Sequence, residues 1–273
     1  MNIVIPMAGA GKRFADKGYK EQKPAIPTVD RNTGEAYPMV VCATRDLIHA
    51  SASGDNIIYI DRSSKENDIT IVEDKIREFY PKAEFITIDH VTEGQACTCL
   101  LAKEKINNDE ELLIAGCDNG MDYSLELFNK LREETDVLVF TYRNNESVCE
   151  NPNQYGWVIV DSDNNVTGLS IKKAISDQPK NDHAVVATFW FKRGSIFVEA
   201  AEKMIAENDR INNEFYVDQA IKHVLDLGYT AKVFEIDRYI GWGTPKDFEN
   251  YQNTIKYWKD FWIEEDEREE KQS

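Results

Sequence analysis

The 273-residue sequence has no apolar run close to the ~18 residues that a membrane span needs. It also lacks an excess of positive charge: 32 lysines and arginines stand against 49 aspartates and glutamates, a net charge of −17. That balance excludes the basic surface by which proteins hold nucleic-acid polymers or anionic membranes. A small anionic ligand in a local basic pocket is still compatible with it. Met1 to Gly11 has neither the basic stretch nor the long apolar stretch of a secretory leader. The cysteines are Cys42, Cys97, Cys99, Cys117 and Cys149. Their odd number and the lack of a C-x-x-C pair lead us to expect reduced thiols and a cytoplasmic setting. Cys97-x-Cys99 has the wrong spacing for a zinc knuckle and reads as small side chains on a helix. His49, His90, His183 and His223 show no triad spacing. There is no internal repeat and no low-complexity linker.

What is present is an alternation of two periods. Short apolar runs predict strands at Asn2–Pro6, Asn56–Asp61, Ala83–Asp89, Leu112–Ala115 and Asp136–Tyr142. Between them, Lys65–Phe79, Gln95–Lys105 and Ser124–Glu134 carry helical periodicity. Such βαβ alternation predicts a parallel, doubly wound sheet covered on both faces. The second half changes character. Gly156–Asp161 and Val166–Ile171 flank the polar turn Asp163-Asn164-Asn165, which predicts an antiparallel hairpin. A strand at Ala184–Phe191, helices at Ile196–Ala206 and Phe215–Leu227, and a strand at Ala231–Ile236 follow. Phe248, Tyr251, Ile255, Trp258 and Trp262 then recur at helical spacing as an aromatic face. This face packs on its own domain or serves as a homo-oligomer seam. We expect one mixed α/β domain over residues 1–262, with an antiparallel insertion, and a charged tail that frays over residues 263–273.

The strongest chemical signal is at the start. The strand Ile3-Val4-Ile5 feeds into Pro6-Met7-Ala8-Gly9-Ala10-Gly11-Lys12-Arg13-Phe14. Glycines let a backbone approach a phosphate and aim free N–H groups at the anion. Lys12-Arg13 does not fit the phosphate loop G-x-x-x-x-G-K-[ST], and Phe14 occupies the third small position of the dinucleotide fingerprint. By itself Gly9-x-Gly11 also fits a structural turn. Charge adds to the signal: Lys12, Arg13, Lys17, Lys20 and Lys23 against Asp16 and Glu21 form an island of net +3 in a strongly negative chain.

Gly9-Ala10-Gly11-Lys12-Arg13-Phe14 followed by Lys23-Pro24-Ala25-Ile26-Pro27 resembles the signature of the sugar nucleotidyltransferases. Glu93-Gly94-Gln95-Ala96, Ala115-Gly116-Cys117-Asp118, Tyr155-Gly156, Lys173, Glu214-Phe215-Tyr216-Val217-Asp218 and Gly243-Thr244-Pro245-x-Asp247 match further family segments in order. The resemblance covers about residues 2–251. It implies a Rossmann-like doubly wound mixed sheet of the GT-A-like nucleotidyltransferase type. It also implies transfer of a nucleotidyl group from an NTP to a sugar 1-phosphate or related phosphorylated metabolite, with release of pyrophosphate. Ala8, Gly9, Ala10, Gly11 and Lys12 would then hold the nucleotide phosphates, and Gly94 and Gln95 would lie beside the base. Arg13 would hold the β- and γ-phosphates and Lys23 the α-phosphate. Asp118 would hold Mg²⁺, and Lys173 would meet the acceptor phosphate. From the residues alone, Asp118 also fits a turn cap, Lys173 a solvated hairpin residue, and Gln95 an exposed helix start.

Three departures from the pattern stand out. Gln22 stands where many members have proline. Lys172 replaces the glutamate of the family's E-K pair. Gly241 stands where the family often has a second Mg²⁺ aspartate, and Asp237 is the nearest upstream carboxylate. Two alternatives stay open: a cytidylyltransferase for a non-sugar phosphate, and a catalytically silent nucleotide-binding homologue. A GT-A glycosyltransferase would need a D-x-D motif, which Asp118-Asn119-Gly120-Met121-Asp122 does not supply.

Overall fold

The computed structural model describes residues 1–47, 56–63 and 69–270, with backbone alone for 262–270. The first half lays down β1 (Asn2–Pro6), a short helix α1 (Lys12–Asp16), the small hairpin β2 (Pro27–Val29) and β3 (Ala36–Pro38), and α2 (Met39–Leu47). Next come β4 (Asn56–Arg62), α3 (Thr70–Phe79), β5 (Glu84–Ile88), α4 (Gln95–Leu100), α5 (Lys103–Ile106) and β6 (Leu112–Ile114). Then follow β7 (Asn119–Asp122), α6 (Leu125–Leu131) and β8 (Val137–Tyr142). β1 pairs in parallel with both β4 and β6, and β4 with β5, as the βαβ reading expects. Their carboxyl ends therefore share one edge of the sheet, where open α/β folds bind ligands.

The second half adds the antiparallel part. After α7 (Ser147–Glu150), β9 (Gly156–Val160) and β10 (Val166–Ile171) form the expected hairpin. β11 (His183–Phe191) runs antiparallel to β6, β8 and β9 and joins the two halves. Its register shifts between Val185 and Phe189, where Ala187 has φ 62°. Bulges of this kind bend a strand and re-aim side chains beside active sites. α8 (Gly194–Ala206), α9 (Val217–Asp226), β12 (Ala231–Glu235), β13 (Arg238–Gly241) and α10 (Pro245–Glu270) complete the chain.

The nine-stranded sheet is covered on both faces. Val4, Ile58, Ile114, Val139 and Phe191 face one core with α4, α8 and α9. Ile3, Ile5, Tyr59, Leu113 and Phe140 face the other with α2, α3 and α6. β8 shows the cause at residue level: all six of its residues are buried, as a strand with two covered faces requires. Ser124 caps α6 by accepting the Leu127 N–H at 3.2 Å. A third, smaller cluster holds Phe14, Ile26, Met39, Trp242 and Phe248 together. It ties α10 to the loop that follows β1.

Several boundaries differ from the sequence reading. Residues 65–68 of the Lys65–Phe79 prediction lie outside the described residues, and the described helix begins at Thr70. The Gln95–Lys105 helix is broken at Leu101-Ala102 into α4 and α5. The helix α10 continues through Glu270 into the expected tail. Within α10, Phe248 is buried and Tyr251 half-buried against the domain, whereas Tyr257, Trp258 and Phe261 are exposed. The Trp262 side chain lies outside the described residues.

Candidate active site

The loop after β1 opens the site. Met7 N–H is committed to the Ile60 carbonyl at 2.7 Å, which extends the β1–β4 pairing by one bond. Beyond it, the N–H groups of Gly9 to Lys12 have no acceptor among the described residues. Gly11 has φ 61°, the left-handed conformation that lets the chain turn into α1. Arg62, the last residue of β4, donates through Nε to the Ala8 carbonyl at 3.2 Å. That contact braces the loop and leaves the rest of the guanidinium beside it. Lys20, Lys23 and Arg62 line a small cavity against Gly9, Ala10 and Gly11.

Lys23 starts a single 3₁₀ turn through Ala25. Its ammonium forms an ion pair with Asp118 and lies 5.5 Å from the centre of the Phe14 ring. Burial works against this cation, but the Asp118 carboxylate, with Cys117 adding to it, holds the lysine pKa above its ordinary value. Asp118 stands in the turn between β6 and β7, and its carbonyl accepts the Trp242 N–H at 2.9 Å. The two-stranded pairing of β7 with β13 places Gly241 opposite Asn119. The aspartate is thus fixed from both sides, by the central sheet and by the segment that precedes α10.

From this pair a cleft opens in two directions. One arm, about 300 Å³, is lined by Pro6, Ala8, Thr92, Gly94, Gln95 and Tyr216. Gly94 has φ 132°, and a Cβ there would lie 2.5 Å from the Phe215 backbone. Phe215 N–H donates to Glu93 at 2.8 Å and its carbonyl accepts from Ala96 at 2.9 Å. The start of α4 is thereby stitched to the approach to α9. The other arm, about 580 Å³, lies beyond Arg13, Lys23 and Asp118. Asn145, Gln154, Tyr155, Lys172, Asp247 and Asn250 line it.

The structure therefore brings Ala8, Gly9, Ala10, Gly11, Arg13, Lys23, Gly94, Gln95 and Asp118 to one edge of the sheet, around connected cavities. Lys12 is exposed at the first turn of α1. Lys173 is not among these residues. Its side chain is exposed, and its carbonyl accepts the Ser170 hydroxyl at 2.7 Å. Lys172 lines the cleft instead. The physical reason is the backbone of Lys172, which adopts φ 58° at the end of β10 and so breaks the alternation of the strand. Sequence reading noted Lys172 only as a substitution, and it passed over Arg62 and Asn145. The histidines take other roles: His183 bonds Thr141 at 2.9 Å, His223 bonds Asp209 at 3.0 Å, and His90 is exposed. His49 lies outside the described residues.

Among the described residues no three metal-binding side chains cluster together. Gly241 offers no donor, and Asp237 does not line the cleft. Asp118, at the junction of the cavities, is a hard, anionic oxygen ligand. It fits Mg²⁺ of the kind whose remaining ligands are phosphate oxygens and water.

Comparison with known proteins agrees with this architecture. The nucleoside-diphosphate-sugar pyrophosphorylase from Vibrio cholerae RC9 superposes with a TM-score of 0.73 at 18% identity, over 91% of this chain and 98% of that one. The inositol-1-phosphate CTP transferase from T. maritima gives 0.64 at 13% identity, over 93% and 96%. The chain shares the fold of the sugar nucleotidyltransferases. In sequence it is 24% identical over 255 residues to the bifunctional protein GlmU of Methanocaldococcus jannaschii, covering 88% of this chain. It spans 54% of the length of that relative. No family model matches the chain. No helix among the described residues of this nucleotidyltransferase fold is long and apolar enough to cross a membrane.

Proposed function

We propose that the chain transfers a nucleotidyl group from an NTP to a phosphorylated sugar or related small metabolite and releases pyrophosphate. The observation that carries this reading is the Lys23–Asp118 pair. It stands where the glycine loop meets a polar cavity large enough for a second substrate. An oxygen of the acceptor phosphate attacks the α-phosphorus. The bond from that phosphorus to the β-bridging oxygen breaks, and its electrons leave with pyrophosphate. No base is needed, because the attacking oxygen is already anionic. The difficulty is to bring two polyanions together in line, so positioning and charge stabilisation do the catalysis.

Each residue then has a task that its chemistry suits. Free N–H groups of the Gly9–Lys12 loop hold the phosphates. Arg13, at the junction of the loop and the cleft, offers a planar fork to the β- and γ-phosphates. Lys23 turns from Asp118 towards the α-phosphate when the nucleotide enters. Asp118 would hold Mg²⁺, which when bound offsets phosphate charge. Gln95 and Gly94 border the base, and the larger arm takes the acceptor. The role expected of Lys173 needs a residue inside the cleft, and the exposed Lys173 does not line it.

Purified protein given each NTP with Mg²⁺ and a panel of phosphorylated acceptors should release pyrophosphate with at least one pair. Lys23→Ala and Asp118→Ala should each lower kcat by about 10²–10³, the effect of removing one preorganised charge. Near-normal turnover in either would overturn the assignment. Gly241 favours a second reading, a silent nucleotide-binding homologue. In that case nucleotide binds and no pair releases pyrophosphate.

A further inference from the structure

Lys172 follows the last residue of β10 with φ 58°, a conformation that side-chain-bearing residues seldom adopt. The surroundings hold it there. Its own N–H donates to the Tyr155 carbonyl at 2.9 Å, and Ala174 N–H donates to Asn153 Oδ1 at 3.0 Å. The result is a lysine that lines the larger arm of the cleft. Its ammonium lies 5.5 Å from the centre of the Tyr216 ring.

That ammonium is under-compensated. It donates to the Gln154 carbonyl, a neutral acceptor, and no carboxylate among the described residues pairs with it within 4.0 Å. The charges that face it are Asp218 and Glu214, which help, and Arg13, which opposes. Glu214 already accepts the Tyr216 hydroxyl, and Asp218 accepts the Gln219 N–H at 3.0 Å. Burial accordingly holds the lysine pKa below its ordinary value. A cation withdrawn from water without a paired anion is costly, and a ligand that brings the anion removes that cost.

The contacts of this cation differ from those of Lys23. Lys23 contacts Asp118, Gly243 and Phe14, whereas Lys172 contacts Gln154 and Tyr216. The two lysines share no partner and form separate anchors. Asn145, Ser147, Tyr155, Asn250 and Thr254 line the same arm, with Asp247, and offer uncharged hydrogen-bonding groups that suit a hydroxylated body.

We propose that Lys172 anchors a second anionic group of the acceptor, so that the preferred acceptor is a phosphorylated metabolite bearing a carboxylate or a further phosphate. This rests on the nucleotidyltransferase reading given above. The family glutamate that Lys172 replaces would repel such a group, so the substitution changes the sign of the site.

The test is pyrophosphate release at fixed pH and saturating NTP with matched acceptors: glucose 1-phosphate, glucuronic acid 1-phosphate, glucose 1,6-bisphosphate, glycerol 3-phosphate and 3-phosphoglycerate. The doubly anionic members should exceed their neutral-bodied partners in kcat/KM by about 10- to 100-fold, the range of a charge-assisted contact. The carboxylate and bisphosphate arms tell which anion is preferred. K172Q should bring that ratio close to one through KM, K172E should invert it, and K172R should preserve it. Nucleotide affinity, read separately, shows that each variant is folded. Release with neutral-bodied acceptors alone would overturn this proposal and leave the transferase reading intact. So would an equal loss for both classes in K172Q, because Lys172 would then serve the transferred phosphate. No release with any pair would overturn both.

Discussion

Asp61 and Asp218 are carboxyl groups that the fold has taken out of water. Burial pushes each up to about 6, with Glu73 adding to the effect on Asp61 and Lys172 working against it on Asp218. In the unfolded chain an aspartate titrates near 3.9. The native state therefore holds these protons to higher pH than the unfolded state does. By linkage, their contribution is most favourable below the unfolded value and is lost as pH rises through the folded one. Asp61→Asn should consequently stabilise the protein more at pH ~7 than at pH ~4.5, where wild type keeps the proton. Urea midpoints of both proteins across that range would show it, and a difference independent of pH would refute it. Asp218 has the same sign but stands beside Lys172, so its replacement also perturbs the acceptor arm. Lys23 shows the opposite balance: burial works against it, but a carboxylate at ion-pair distance, with Cys117 beside it, holds its pKa above the ordinary value. The contrast between Lys23 and Lys172 is the residue-scale basis for giving them different tasks.

Elements matter here through the loops they aim. The loop before α4 reaches its place only because position 94 has no side chain. Its φ of 132° and ψ of 173° lie in a region almost closed to other residues, and the Phe215 backbone fills the space a Cβ would need. Gly94→Ala should cost about 1–3 kcal/mol from backbone strain, with more from displacing Phe215. It should also raise KM for the nucleotide more than KM for the acceptor, because the displaced loop borders the smaller arm. A denaturation midpoint and the two KM values together test this, and a neutral midpoint would remove the argument. α10 acts in a similar way at a distance. Phe248 packs edge-on against Phe14, with ring centres 6.1 Å apart, and Phe14 lies beside Arg13 and beneath the Lys23 ammonium. A helix at the end of the chain thus helps to hold the charges near its start. The β7–β13 pairing does the same for Asp118 through Trp242.

On the scale of the whole molecule, a net charge of −17 and the proposed anionic substrate are reconciled by distribution. Arg13, Lys20 and Lys23 line the cleft and the cavity beside it, and Arg62 joins them from β4. A long polyanion would meet the acidic remainder of the surface, whereas an NTP meets only the island. Single- and double-stranded DNA should therefore fail to bind even at ~50 mM salt, where phosphate contacts are least screened. NTP binding should persist there and weaken as salt rises. Filter binding for DNA and titration with NTP read both, and DNA binding with an ordinary salt slope would contradict this picture.

The sequence by itself determined the alternation of strands and helices, the fully apolar central strands, the antiparallel hairpin of the second half and the glycine loop with its cations. These are encoded locally, in periodicity and in residue types with few alternative uses. It also placed Asp118 at a strand-end turn. It missed α2, the β2–β3 hairpin and the β7–β13 pair. The strands among these are only three or four residues long, and their pairing partners lie far off in sequence or carry no alternation. Only the tertiary structure decided which of two adjacent lysines faces the cleft. A single left-handed residue at the end of β10 puts Lys172 in the lining of the cleft and leaves Lys173 exposed, and no pattern of residue types records that turn. Only the tertiary structure, likewise, brought Arg62, Trp242 and Phe248 to a loop more than forty residues away. Those contacts depend on how the sheet and α10 close around one edge, which local sequence does not specify.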